Sequence, residues 1–257
     1  MVRQVDTRTG KYLYAIIDNS RDHLDRMRGI DGSPVYQISN STIAAVISNV
    51  HCTRIQPQRH RLAAHQNVLK CLMQKDTPLP VQFGIIAGSD GDVLRFLNAH
   101  KMSLEEQLQR VAGKVEMGLR VAWDVPNVFE HLVAMHPELR AFRDKLFLAK
   151  REPTREEKVE LGRMFDRILD KDRELCGRKV QNVLSPLCFE IKSNPPHKMV
   201  EVMSLACLIG RGAEGEFEAG VIEAAKLFDD SFRFSVSGPW APHNFAEVGL
   251  RPEQGGD

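Results

Sequence analysis

The sequence predicts an α+β protein of two domains, the second a ferredoxin-like βαββαβ with a helical-hairpin insertion. Three observations predict it. The chain has 257 residues, more than one ordinary domain needs. Residues 114–123 alternate apolar and polar over ten positions, the period of a strand with one buried and one wet face. After that strand the order reads helical insert, strand, strand, helix, strand. The expected domains are 1–113, an N-terminal α+β domain, and 114–248, with residues 249–257 a disordered tail.

In the first domain, Tyr12 to Ile17 carries aromatic and β-branched residues and predicts a strand. A charged loop, 19–33, ends in Gly29-Ile30-Asp31-Gly32. Val35 to Ile38 and Thr42 to Val50 predict two strands joined by a tight turn at Ser39-Asn40-Ser41. From Arg59 the period changes. Leu62, His65, Leu69 and Leu72 share one helical face. Pro78 and Pro80 introduce a short strand, Val81 to Ile86. Ser89 is the expected N-cap of the next helix. Ser103 with Glu106 has the spacing of a capping box for the helix that stops at Gly113.

In the second domain, Val115, Met117, Leu119, Val121 and Trp123 form the buried side of the alternating strand. A helix follows Asp124-Val125-Pro126, divided or bent by Pro137. A charged hinge, Lys150 to Pro153, leads to a capping box at Thr154 and Glu157. The long helix after it turns Leu161, Met164, Phe165, Ile168 and Leu169 inward. Leu187, Phe189 and Ile191 alternate as a strand. Asn194-Pro195-Pro196 turns the chain. Met199 to Ile209 is apolar on both faces, as in a central strand. A helix over Glu216 to Phe228 and a strand through Phe232, Phe234 and Val236 complete the pattern.

Composition excludes several function classes. Apolar residues make up 42% and charged residues 27%, so a packed core is expected. The formal net charge is +1, which gives no global attraction to nucleic acid or an acidic membrane. The N-terminus lacks a signal-peptide core, and the most apolar stretch, Val202 to Ile209, is far shorter than the ~20 residues of a membrane helix. A soluble intracellular protein is expected. The five cysteines, Cys52, Cys71, Cys176, Cys188 and Cys207, form no CxxC pair. Their number is odd, so reduced thiols are expected, with no zinc cluster or disulfide framework. Cys71 and Cys207 have apolar neighbours and read as small core residues.

Motifs for chemistry are few. Gly210-Arg211-Gly212-Ala213-Glu214-Gly215 is a literal G-x-G-x-x-G between a strand and a helix, the context of a phosphate-binding turn. Against that reading, Glu214, Glu216 and Glu218 would repel a phosphate at the helix start. Too little chain follows for a dinucleotide fold. His60 and His65, like His131 and His136, are five apart and cannot share a metal well on a helix. Glu156-Glu157 and Asp229-Asp230 lie at helix ends, where the dipole explains them. No G-x-S-x-G, HExxH or P-loop is present. Met199 to Ile209 has no aromatic residue with which to stack RNA bases. No catalytic residue, cofactor or metal site is expected.

One segment stands apart. Gly238 to Phe245 follows the last strand with Pro239, Trp240, Pro242 and Phe245. It is either a structural staple or an aromatic partner-contact anchor. As a staple, Trp240 is expected to fold back onto the second domain.

Several segments together resemble the gas vesicle protein F/L family. They are Tyr12-Leu13-Tyr14-Ala15-Ile16, Gly29 to Val35, Leu62 to Leu69, Pro78 to Gly84, Gly113 to Glu116, Trp123-Asp124, Glu216 to Ala219 and Gly238 to Phe245. The resemblance covers about residues 12–247, in order. It departs where that family usually shows Pro-Pro-Tyr-Ser-Phe; here Ala241-Pro242-His243-Asn244-Phe245 stands. The resemblance implies a non-enzymatic accessory or minor structural protein of gas vesicle assembly, located at the gas vesicle in the cytoplasm. Its implied partners are the main, hydrophobic shell protein, whose vesicle it helps nucleate or grow, and other gas vesicle accessory proteins. It implies no nucleic acid and no lipid membrane. Residues 1–113 are expected to carry most of the shell contact. The alternatives are a nucleotide-binding protein using Gly210–Gly215 and an RNA-binding module.

Overall fold

The structure is a computed structural model describing residues 9–19, 27–148 and 151–249. The expected tail, Gly249 apart, lies outside the described residues, as do most of the charged loop after Asn19 and Lys150 of the hinge. The fold is α+β, with two separate sheets. The chain divides into two compact units. One holds the described residues up to Glu116 together with those from Pro239 onward; the other is Met117–Gly238.

In the first unit, β1 (Gly10–Asp18) lies between β3 (Ile43–Val50) and the two short strands β4 (Leu79–Pro80) and β5 (Ile86–Ala87). β2 (Val35–Ser39) is the outer strand against β3. β1 pairs antiparallel with β3, and the register shifts between Leu13 and Ala15. Six successive residues of β1, Tyr12 to Ile17, are buried, as expected of a strand covered on both faces. Helices α1 (Arg59–Met73), α2 (Asp90–Ala99) and α3 (Lys101–Val111) complete the unit.

Three local expectations change. Residues 81–86 do not form one strand: β4 and β5 each pair briefly with β1, and the chain loops between them. Pro80 has no N–H to give a ladder, and the Gly84 amide donates instead to the Tyr12 hydroxyl at 3.2 Å. Ser103 is not a cap. The helix begins at Lys101, and the Leu104 amide already donates to the His100 carbonyl. Cys71 is exposed, on the side of α1 away from buried Leu69 and Leu72.

Tyr14 shows why Gly29 is glycine. The Tyr14 hydroxyl accepts from the Ile30 amide at 2.7 Å and shares a hydrogen bond with Ser48 Oγ at 2.8 Å. A Cβ on Gly29 would stand 2.0 Å from that hydroxyl oxygen. The backbone can pass the buried ring only without a side chain. Asp31 next to it has φ 51° and forms a two-pronged ion pair with Arg61, both bonds 3.0 Å.

In the second unit the strand order is β7 (Glu190–Asn194), β8 (Glu201–Gly210), β6 (Lys114–Trp123), β9 (Phe232–Trp240). β8 is central and buried nearly throughout, as its two-sided apolar sequence predicts. α4 (Val128–Met135) is capped by Asn127, and Pro137 opens α5 (Pro137–Phe147), so the proline divides the helices. Thr154 and Glu157 form the full capping box of α6 (Arg155–Leu184), thirty residues long. Leu161, Phe165, Ile168 and Leu169 are buried, and Phe165 meets Phe129 of α4 at 5.2 Å. Arg173 of α6 donates to the carbonyls of Lys198, Met199 and Glu201. α7 is Glu214–Ala225. The strand expected through Leu187 starts only at Glu190. Ser185–Leu187 is a 3-10 turn, and Phe189 is 68% exposed.

Candidate partner-contact site

The closing segment is built from the end of β9 outward, and it counts with the first unit. This corrects the expectation that it belongs to the second domain and that Trp240 folds back there. Trp240 is half-buried, with Lys70 Nζ of α1 lying 5.7 Å from its ring centroid. A cation over an indole face is attracted by the ring quadrupole. Pro239 before it is exposed. Pro242 and Phe245 are buried, and the Phe245 amide closes a turn on the Pro242 carbonyl at 3.1 Å. The four candidate residues therefore divide: Pro239 and Trp240 reach solvent, while Pro242 and Phe245 anchor the segment.

Hydrogen bonds hold that anchor. Glu116 is 6% exposed. Its two carboxylate oxygens accept from the Asn244 backbone N–H at 2.8 Å and the Asn244 side-chain amide at 2.7 Å. Arg110 donates to the Phe245 carbonyl. Gln107 accepts from the Glu247 amide at 2.7 Å and donates to its carbonyl at 3.3 Å. Sequence alternation placed Glu116 on the wet face of its strand. It is buried because the closing segment covers it. The one signal available in the sequence was a carboxylate beside a segment rich in donors, and that does not identify the partner.

His243 is half-buried near His65 of α1, which is 2% exposed. The Tyr12 hydroxyl, already accepting from Gly84, bonds His65 Nδ1 at 2.9 Å. Burial, and then the neighbouring His243, push the His65 pKa down to about 4. Burial lowers His243 as well. Both imidazoles belong to the packing of this segment, in keeping with the reading of His65 as a hydrogen-bonded core residue.

The other motifs stay apart. Gly210 ends β8, the Ala213 amide closes a turn on its carbonyl, and Gly212 has φ 88° with open space around it. Glu214 and Glu216 occupy the first turn of α7. His60 faces Asp31 and His136 faces Asp172, so neither histidine pair converges. Among the described residues no group of three or more His, Cys, Asp or Glu is placed to hold a metal ion. No described helix is long and apolar enough to cross a membrane. An open cleft of about 350 Å³ in the first unit is lined by Asp18, Thr42, Asp76 and Glu105, among others.

Residues 10–247 match the model of one family, gas vesicle synthesis protein GvpL/GvpF, and the chain belongs to that family. It is 24% identical over 240 residues to gas vesicle protein F of Dolichospermum flosaquae, covering 92% of this chain and 97% of that one. It is 25% identical over 259 residues to gas vesicle protein L1 of Halobacterium salinarum, covering 92% and 90%. Two crystal structures share the fold. GvpF from Anabaena sp. PCC7120 superposes with a TM-score of 0.76 at 24% identity, over 93% of this chain and 96% of that one. GvpF from Microcystis aeruginosa gives 0.78 at 23% identity, over 93% and 99%. The family places the protein in gas vesicle assembly.

Proposed function

We propose that this protein is a non-enzymatic accessory or minor structural component that binds the hydrophobic gas vesicle shell protein and helps nucleate or grow the vesicle. The observation that carries the reading is family membership over nearly the whole chain. The physical need is plain. A shell subunit that lines a gas space presents a large apolar face before assembly, and such faces aggregate unless held. The site of action is the vesicle in the cytoplasm, alongside other accessory proteins of the same assembly.

Within this reading, most of the shell contact falls on residues 1–113. Leu62 and Met102 there are exposed apolar side chains, at 40% and 75%. The second unit is read as ferredoxin-like. Its strand order β9-β6-β8-β7, with α4–α6 and α7 as the two crossovers, supports that arrangement. The test is co-purification of the full-length chain with the shell protein. Retention is expected, reduced by Leu62→Glu and Met102→Glu and left unchanged by Ile222→Glu on α7. No retention of the unmodified chain refutes the binding role. Loss with Ile222→Glu alone refutes the assignment to residues 1–113.

A further inference from the structure

Two helices carry charge of one sign only. α1 has Arg59, His60, Arg61 and Lys70 and no acid. α7 has Glu214, Glu216, Glu218 and Glu223 and no Lys or Arg. A solvated helix face commonly mixes the signs, with partners three or four residues apart. The long helix α6 does so, with Arg163 on Glu160 and Arg178 on Glu174. Neither α1 nor α7 holds such a pair within its own length; Lys226, just past the end of α7, reaches Glu223 at 2.7 Å.

Local partners leave much of this charge unmatched. Arg61 and, at 3.7 Å, His60 turn to Asp31, and Lys70 lies over Trp240. Arg59 is exposed and has no ion pair among the described residues, and the same holds for Glu216 and Glu218. The helix dipole does not explain the pattern. Arg59 stands at the positive end of α1, where a cation is disfavoured, and the first turn has no acid to offset it. Glu218 and Glu223 lie beyond the first turn of α7, where the dipole no longer favours them.

The faces also fit in shape. Arg59, Ala63 and Lys70, at i, i+4 and i+11, form one exposed line along α1. Gly215, Ala219 and Ile222, at i, i+4 and i+7, form another along α7, with Glu218 on one side and Glu216 and Glu223 on the other. Ala63, Gly215 and Ala219 are small, so two helices can approach closely there. Ile222 is 60% exposed and gives the acidic face an apolar centre.

We propose that the basic side of α1 in one copy of this protein docks on the acidic side of α7 in a second copy. One chain carries both halves of the contact, which is why the partner is another copy. The contact is heterologous: each copy that joins leaves one α1 and one α7 open, so association continues past the dimer unless a ring closes. A single helix pair is a small interface, so the association is weak and concentration-dependent. Its exposed charges make it sensitive to salt.

The experiment is sedimentation velocity on the full-length protein without shell protein, so the result is independent of shell binding. In ~0.05 M salt the average mass is expected to rise with concentration, and in ~1 M salt to return to the monomer. Two charge-reversed proteins follow, Arg59→Glu with Lys70→Glu and Glu218→Lys with Glu223→Lys. Each alone is expected to associate about tenfold more weakly than the parent. Mixed in equal amounts they are expected to associate again, because each then meets opposite charge; that recovery also shows that both are folded. A parent that stays monomeric in low salt overturns the proposal. So do association that salt does not weaken, reversed proteins that associate as the parent does, and a mixture that fails to recover.

Discussion

Glu116 holds Asn244 by two hydrogen bonds, one from its backbone amide and one from its side chain, across 128 residues of sequence. The carboxylate is buried and charge-assisted bonds of this kind are strong. Glu116→Ala leaves both Asn244 donors without an acceptor and is expected to cost about 3 kcal/mol of folding stability. Glu116→Gln keeps one acceptor and costs less. Urea unfolding of both variants checks the order; equal stability of Glu116→Ala and the parent would show that the bonds contribute nothing.

Phe245 and Trp240 are expected to separate when mutated. Phe245 is fully buried, so Phe245→Ala should cost about 3–5 kcal/mol. Trp240 is half-buried against Lys70, and its loss should cost about 1 kcal/mol. Thermal unfolding and shell-protein affinity are measured on the same two proteins. Reduced affinity with a nearly unchanged melting temperature is expected for Trp240→Ala. Unchanged affinity would remove Trp240 from the contact surface.

Two glycines should respond differently to alanine. Gly212 has a left-handed backbone and open space, so Gly212→Ala carries only a conformational cost of about 1 kcal/mol. At Gly29 the added methyl meets the Tyr14 hydroxyl, and overpacking adds about 1–3 kcal/mol. Denaturant titration should rank Gly29→Ala as the less stable. Shell binding by Gly212→Ala should equal that of the parent. Saturable binding of a nucleotide that Gly212→Ala abolishes would revive the phosphate-turn reading.

Stability should fall with acid in a defined window. Unfolded, His65 takes a proton near the ordinary imidazole value of 6.5; folded, it resists until about 4. Its contribution is therefore intact above pH 6.5 and is lost as the pH falls toward 4, by about 3 kcal/mol in all. His243, also lowered, acts in the same direction. Unfolding free energies between pH 7 and pH 4 should show a shallower slope in His65→Gln. Equal slopes would remove His65 from the acid response.

Local signals were legible where local forces decide. The β6 alternation and the two-sided apolar run of β8 are burial patterns written directly in the side chains. Thr154 and Glu157 announced a helix start, and the structure has one. Ser103 and Glu106 have the same spacing yet cap nothing, because α3 is already running and the amides there have carbonyl partners. The closing segment shows the other limit. Its aromatics and prolines marked it as unusual, but its docking place depends on Glu116, Arg110, Gln107 and Lys70, none of which has a pattern of its own.

The return of residues 244–247 to Glu116, Arg110 and Gln107 has a consequence for biosynthesis. The first unit is discontinuous in the chain, with all of Met117–Gly238 between its parts. A ribosome delivers the amino end first, and domains commonly fold in that order. Here the earlier-made unit must wait. When Glu116 emerges, the donors of Asn244 have not yet been translated, and its carboxylate keeps its water until they arrive. The last contacts of the first unit form after the second unit has been fully synthesised, so completion of the amino-terminal half is tied to synthesis of nearly the entire polypeptide.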